Sequence, residues 1–259
     1  MSEPEVKPKP TYMIYGGRFT GREPYFYDAA EFSWVKALED NWLVIREEIQ
    51  SLLERREERL KPYFIKSIVF PPKQWKTMGL YFWKYKLHRN CLDCPQTVRL
   101  LESIPHMTGG SLSVLEAGSN INPHQGDTNA IIRVHLGLSV PAPLPVCGFQ
   151  VGREIRPWEE GKALLFCDAH SHLAWNRSDK RRLILIVDVM RPEFVEQTDA
   201  ICSHVLATMI VQTIYQASAL LNRLPGRFKY GIHFILRNII RVLLPVQRRA
   251  GFLSKLTRS

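Results

Sequence analysis

The run from Asn122 to Leu138, N-P-H-Q-G-D-T-N-A-I-I-R-V-H-L-G-L, constrains the fold more than any other stretch of the chain. A polar turn carrying His124 leads straight into an alternating segment. Ile131, Arg133 and His135 share one face of it, and Ile132, Val134 and Leu136 share the other, the period-2 pattern of a strand. A buried sheet face rarely holds both an arginine and a histidine unless an anion or a metal meets them. A second run answers the first: H-S-H-L-A-W-N-R-S-D-K-R-R, from His170 to Arg182, where Arg182 opens a further alternating strand, R-L-I-L-I-V-D-V. Two histidines and two arginines thus stand at the ends of sheet-forming segments, and together they read as one site.

The chemistry this suggests is mononuclear non-haem iron. Imidazole suits Fe(II), with coordination positions left open for an α-keto acid and O₂. The common facial triad adds a carboxylate, usually two residues after the first histidine. Gly126 occupies that position here. Taken singly, His124 also reads as a turn histidine and His172 as a satisfied core histidine. The arginines change the balance, because 2-oxoglutarate has two carboxylates and guanidinium binds a carboxylate bidentately.

From about Trp75 to Pro192 the sequence resembles the catalytic domain of the aspartyl/asparaginyl β-hydroxylase family of Fe(II)/2-oxoglutarate dioxygenases. The resemblance rests on P-H-Q-G-D-T-N at Pro123, R-V-H-L-G-L at Arg133, W-E-E-G-K-A-L-L-F-C-D at Trp158, H-L-A-W at His172 and R-L-I-L-I-V-D-V at Arg182, in that order. It implies iron held by two histidines and solvent without a carboxylate, so Gly126 agrees with it. It further implies His124 and His172 as the iron ligands and catalytic centre, and Arg182 with Ser113 beside it at the distal carboxylate of 2-oxoglutarate. Arg133 and His135 would take the carboxylate end that chelates the iron, and Trp75 would stand near the co-substrate. The implied reaction uses O₂ and 2-oxoglutarate to hydroxylate an unactivated C–H bond.

The remainder of the chain frames this site. Between Gly110 and Val189 short strands alternate with the turn signals A-G-S-N, P-A-P-L-P and E-E-G-K. This is the rhythm of a double-sheet jelly roll, so the expected fold is mainly β, a double-stranded β-helix with flanking helices. Asp127 is expected to cap its turn, His170 to lie in a loop, and Asp188 to be structural. Upstream, Asp28-Ala-Ala-Glu31 has capping-box spacing. Trp34, Leu38, Trp42, Ile45, Ile49 and Leu52 then recur at helical intervals. Met78–Trp83 reads as a strand, and Pro95 starts a short helix. Cys91 and Cys94 form a C-x-x-C pair without a partner pair at zinc spacing, and are expected to be structural thiols. The five scattered cysteines fit a reducing compartment.

The net charge of +10 has a definite location, since no acidic residue follows Asp199. The expected organisation is a flexible segment 1–27, a dioxygenase domain 28–195 and a basic amphipathic helical region 196–259. Val205–Leu221 carries no charge but is broken by Gln212 and Gln216, so it is marginal as a membrane span. Ile232–Pro245 mixes aliphatic stripes with Arg237 and Arg241, as in helices lying on anionic lipid. The alternative for this tail is a hairpin folded onto the body or a dimer contact. The polar, proline-rich N-terminus lacks the apolar core of a secretory signal. The expected location is therefore cytoplasmic, on the cytoplasmic face of a membrane where the tail binds lipid. No nucleic-acid motif is present. The tail favours a membrane-lipid acyl chain as substrate, with β-hydroxylation of Asp or Asn in a polypeptide as the alternative. A non-catalytic jelly-roll binding module is a third reading, whose mark would be the loss of a ligand histidine or of the co-substrate arginine.

Overall fold

The computed structural model describes residues 9–14, 17–218, 221 and 223–250. Two β-sheets face each other. The larger runs β1 (Phe26–Tyr27), β11 (Ala163–Phe166), β8 (Ile131–Ser139), β13 (Arg182–Met190), β6 (Met107–Leu115), β4 (Trp75–Phe82) and β2 (Lys61–Pro62), with β5 (Tyr85–Lys86) paired to β4. The smaller runs β10 (Glu154–Arg156), β9 (Cys147–Val151), β12 (His172–Asn176), β7 (Ser119–His124) and β3 (Val69–Phe70). The expected jelly-roll architecture is present as two open sheets rather than a closed barrel.

The strand alternation sorts residues between two cores. Outward residues of the large sheet, among them Leu112, Val134, Leu136, Leu185 and Val187, join Leu38, Ile45, Ile49 and Leu101 in one apolar cluster. These last belong to the covering helices α1 (Ser33–Asp40), α2 (Trp42–Arg56) and α4 (Pro95–Ser103). Between α2 and α4 lies the short α3 (His88–Cys91). Inward residues such as Leu115 and Ile184 meet Phe149, Val151 and Ala174 of the small sheet. The single helix expected from Trp34 to Leu52 is two helices, broken at Asn41, whose side-chain amide donates to the Ala37 carbonyl. The capping-box aspartate Asp28 caps only a 3-10 turn, accepting from the Ala30 N–H.

Of the flexible lead-in expected at 1–27, residues 1–8, 15 and 16 lie outside the described residues, and the rest makes specific contacts with the body. Tyr12 bridges to Thr128, the Met13 N–H donates to the Asp127 carbonyl, and Met13, Phe19 and Phe26 are buried. Apolar side chains with a sheet neighbour to cover repay their ordering, which proline content alone did not reveal.

The C-terminal region forms two helices, α5 (Thr198–Ala217) and α6 (Gly226–Ala250). The pair is folded onto the body. Ile201, Cys202, Val205 and Leu206 of α5 and Leu244 of α6 share a cluster with Ala130, Ile131 and Met190. Gln247 closes the far end, accepting from the Lys86 N–H at 3.0 Å and donating to the Lys86 carbonyl at 2.7 Å. Among the described residues no helix is long and apolar enough to cross a membrane. The uncharged run that looked like a marginal span lies, as far as Ala217, in α5, with Val205 and Leu206 packed against the body.

Candidate active site

All seven residues singled out in the sequence line one cavity between the sheets: Trp75, Ser113, His124, Arg133, His135, His172 and Arg182. They come from opposite walls. His124 ends β7 and His172 begins β12, and the two are directly paired across the small sheet. Their rings lie 4.2 Å apart between centroids, so strand register alone brings them together. The other five stand on β4, β6, β8 and β13 of the large sheet.

Hydrogen bonds fix the histidine tautomers in opposite senses. His124 Nδ1 lies 2.9 Å from the Asn122 carbonyl, and His172 Nδ1 lies 2.9 Å from the His170 carbonyl. A carbonyl only accepts, so Nδ1 carries the proton in both rings and each Nε2 presents a lone pair. Burial depresses both imidazoles, His124 to about 4 and His172 well below the ordinary value, so both are neutral. His135 is the reverse. The Trp158 indole N–H donates to its Nδ1 at 3.3 Å, and an indole only donates, so Nε2 carries the hydrogen. Burial, with Arg182 and Arg133 nearby, holds His135 neutral as well. The site thus contains two lone-pair imidazoles suited to a metal and one N–H imidazole suited to an anion.

Arg182 is 1% exposed, and burial lowers its guanidinium to about 10. Its Nε has no hydrogen-bond partner, and Nη2 reaches only the Ser113 hydroxyl at 3.5 Å. The guanidinium carbon lies 4.5 Å above the Trp158 ring. A buried cation with an orphaned donor is a costly arrangement unless an anion meets it, and a carboxylate fits that demand. Trp75 gives its N–H to Ser113 at 2.9 Å and so fixes the hydroxyl beside Arg182.

Arg133 is more heavily engaged than the sequence suggested. Asp188, its cross-strand partner, takes Nε at 2.7 Å and Nη2 at 2.9 Å, while Asp168 takes Nη1 at 2.7 Å. Burial works against the Arg133 charge, but the two carboxylates hold it well above the ordinary arginine range. Asp188, read as structural, is therefore the residue that orients Arg133. The Asp127 side chain is hydrogen-bonded by Trp83, and burial raises its carboxyl. His170 lies in a loop, its Nε2 against the Glu23 carbonyl at 2.8 Å. Cys91 and Cys94 are buried thiols, and burial pushes Cys91 up to about 11.

Sequence reasoning missed Asp168. It is 1% exposed, its Oδ1 lies 3.6 Å from His172 Nε2, and its Oδ2 has no hydrogen-bond partner. Burial, opposed by Arg133, lifts its carboxyl to about 7. A Cβ placed on Gly126 would lie 1.6 Å from Asp168 Oδ2. The glycine at the missing-carboxylate position is thus the space a distant carboxylate fills. The available signal was an acid two residues past the apolar strand A-L-L-F, four residues before His172. Among the described residues no three His, Cys, Asp or Glu side chains converge as a metal-binding group. The two Nε2 lone pairs beside an orphaned carboxylate oxygen nevertheless fit an iron held by two histidines and solvent.

Comparison with known proteins points the same way. Residues 39–192 match the family described as aspartyl/asparaginyl beta-hydroxylase. An ornithine lipid ester-linked acyl 2-hydroxylase of Rhizobium tropici is 37% identical over 175 residues, covering 65% of this chain and 61% of that protein. The aspartyl/asparaginyl beta-hydroxylase of Homo sapiens is 34% identical over 168 residues, covering 63% of this chain and 22% of that protein. The human aspartate beta-hydroxylase domain-containing protein 2 is 35% identical over 178 residues, covering 65% and 47%. The chain thus matches from about a fifth to three fifths of the length of these relatives. Among solved structures, a viral collagen prolyl hydroxylase from Paramecium bursaria Chlorella virus-1 in its 2OG complex aligns with a TM-score of 0.31 and 9% identity, over 44% of this chain and 77% of that one. That likeness is too slight to carry an argument.

Proposed function

The chain belongs to the aspartyl/asparaginyl β-hydroxylase family, and from that premise we propose that it is an Fe(II)/2-oxoglutarate-dependent dioxygenase hydroxylating an unactivated C–H bond on a membrane-lipid acyl chain. The observation that carries the reading is the pairing, in one cavity, of two neutral imidazoles with free Nε2 atoms and a buried arginine without an anion. Bound iron with 2-oxoglutarate and O₂ would supply the oxidising chemistry.

The chain's own residues bind and orient. His124 and His172 would hold the metal through Nε2, their rings fixed by the Asn122 and His170 carbonyls. Arg182 and Ser113 would receive the distal carboxylate of 2-oxoglutarate, and the Trp75 N–H keeps the hydroxyl in place. His135 would donate Nε2–H to the carboxylate at the metal end, with Arg133 beside it, held in position by Asp188. The apolar walls contributed by Phe149, Ile184 and Trp158 exclude water from the reacting carbon.

The lipid branch is favoured by the acyl hydroxylase of R. tropici among the relatives and by the C-terminal helix. On α6, Phe228, Tyr230, Ile235 and Val242 are exposed among Arg227, Lys229 and Arg241, an arrangement suited to anionic lipid. In this reading the protein works peripherally on a membrane, at its cytoplasmic face. The human relatives support Asp or Asn in a polypeptide as the second reading.

The test is succinate formation from 2-oxoglutarate by the iron-loaded protein under O₂, alone, with lipid extract and with Asp/Asn peptides. Stimulation by lipid, lost in His172→Ala, is the expected result. Stimulation by peptide alone would transfer the reading to the second branch. Absence of both iron and 2-oxoglutarate binding would refute it.

A further inference from the structure

Residues 59–92 contain no aspartate or glutamate, although they carry eight lysines and arginines and a dense set of aromatics. Part of this segment forms an exposed apolar rim. Phe64 is 63% exposed, Ile65 41% and Phe70 63%, three large apolar side chains turned to solvent within seven residues of chain, and exposed apolar surface marks interaction sites. The rim joins the cavity through a stack of rings. Phe64 lies 4.6 Å from Tyr63, Tyr63 is stacked on Trp75 at 3.8 Å, and Trp75 lies 5.9 Å from His124, all between centroids. The segment is tied to the strand that carries His124: Val69 pairs with Ile121 and Phe70 with Asn120, while the Asn122 amide donates to the Ser67 carbonyl. Tyr63 and Ile68 also pack against the cluster that lines the cavity. Exposed Lys61 and Lys73 flank the rim. Because the Trp75 N–H is already given to Ser113, the stack offers an entering group apolar faces, which suit a hydrocarbon chain better than an amide or a carboxylate.

We propose that residues 63–70 are the membrane-facing mouth of this site, with Phe64, Ile65 and Phe70 inserting into a lipid interface and the Phe64–Tyr63–Trp75 stack conducting an acyl chain toward His124. The inference rests on the hydroxylase reading for what the chain meets at its end. It differs from that reading in locating the lipid surface at the mouth rather than only on α6. Lysines beside inserted aromatics add attraction to anionic head groups.

The test uses the full chain and vesicles of phosphatidylcholine with or without phosphatidylglycerol. The triple variant Phe64→Ser/Ile65→Ser/Phe70→Ser should bind phosphatidylglycerol vesicles at least about tenfold more weakly than the parent, with an unchanged unfolding midpoint. Equal binding overturns the proposal. A second measurement does not depend on losing anything. All five native cysteines are buried, so Phe64→Cys can be labelled selectively with an environment-sensitive fluorophore. Its emission should shift to the blue on vesicles. An unmoved spectrum overturns the proposal even where α6 alone holds the protein on lipid. A blue shift without vesicles that grows with protein concentration also overturns it, in favour of a second copy of the chain. Neither readout uses turnover. A chain that inserts its rim but binds neither iron nor 2-oxoglutarate sinks the hydroxylase reading and leaves the surface standing.

Discussion

At the scale of single residues, the site depends on what each polar group lacks. Arg182 is a buried cation supplied with one weak partner, so replacing it with an apolar group of similar length should not harm the fold. Arg182→Met should leave stability equal or raise it by about 1–2 kcal/mol, since an uncompensated charge is removed. The same change should weaken 2-oxoglutarate binding about 100-fold. Thermal unfolding and ligand titration on one sample check both halves, and a large loss of stability would mean that Arg182 is structural. Gly126 gives the complementary case. Supplying the absent carboxylate there should not build a three-ligand site, because the new Cβ would occupy the place of Asp168 Oδ2. Gly126→Asp should cost about 2–4 kcal/mol by forcing Asp168 off Arg133 and should not tighten iron binding, as unfolding midpoints and metal titration would report. Arg133 and His135 were legible because they break an apolar alternation, and His124, His172 and Arg182 because they stand at the ends of sheet-forming segments. Asp168 was not, because its partners Arg133 and Gly126 are distant in sequence and only the fold brings them near.

At the scale of elements, α5 and α6 meet through a histidine pair. The rings of His204 and His233 are 4.8 Å apart, Tyr12 lies 4.3 Å from His204, and His233 Nε2 is 3.0 Å from the Thr208 hydroxyl. Burial, with His233 and Arg237 adding to it, lowers His204 to about 4, and burial lowers His233 too. The unfolded chain therefore takes up protons near pH 6.5 that the folded chain refuses until lower pH. Stability is full above about pH 6.5 and falls as pH drops toward 4. Hydrogen-exchange protection factors in α6, taken relative to the intrinsic rate at each pH, should fall between pH 7 and pH 5 more than those in β8 and β13, and His204→Gln with His233→Gln should flatten that dependence. The elements also show where sequence patterns fail. Helical spacing from Trp34 to Leu52 survived across a break because Asn41 interrupts the backbone without interrupting the apolar stripe. The uncharged face of α5 cannot say by itself whether lipid or protein will cover it; Ala130, Ile131 and Met190 of the body do so.

At the scale of the whole molecule, the strand rhythm and ordered sequence blocks foretold two facing sheets, while the packing of the N-terminal segment and of the C-terminal hairpin rested on contacts no local pattern carries. The division of the seven site residues between the two walls has a mechanical consequence. His124 and His172 belong to the small sheet and Trp75, Ser113, Arg133, His135 and Arg182 to the large one, so in the proposed dioxygenase the two walls would act as the jaws of a vice, one holding the metal and the other the diacid. The jaws are kept closed by the aromatic filling, in which Phe149 meets Phe166 at 4.7 Å and His135 at 5.0 Å. Slackening of that filling would part the metal from the diacid before any strand is lost. On gentle heating, 2-oxoglutarate binding should therefore fail at a lower temperature than the far-ultraviolet circular dichroism signal, and Phe149→Ala should widen the interval between the two. Identical midpoints in parent and variant would show that the jaws cannot open without unfolding.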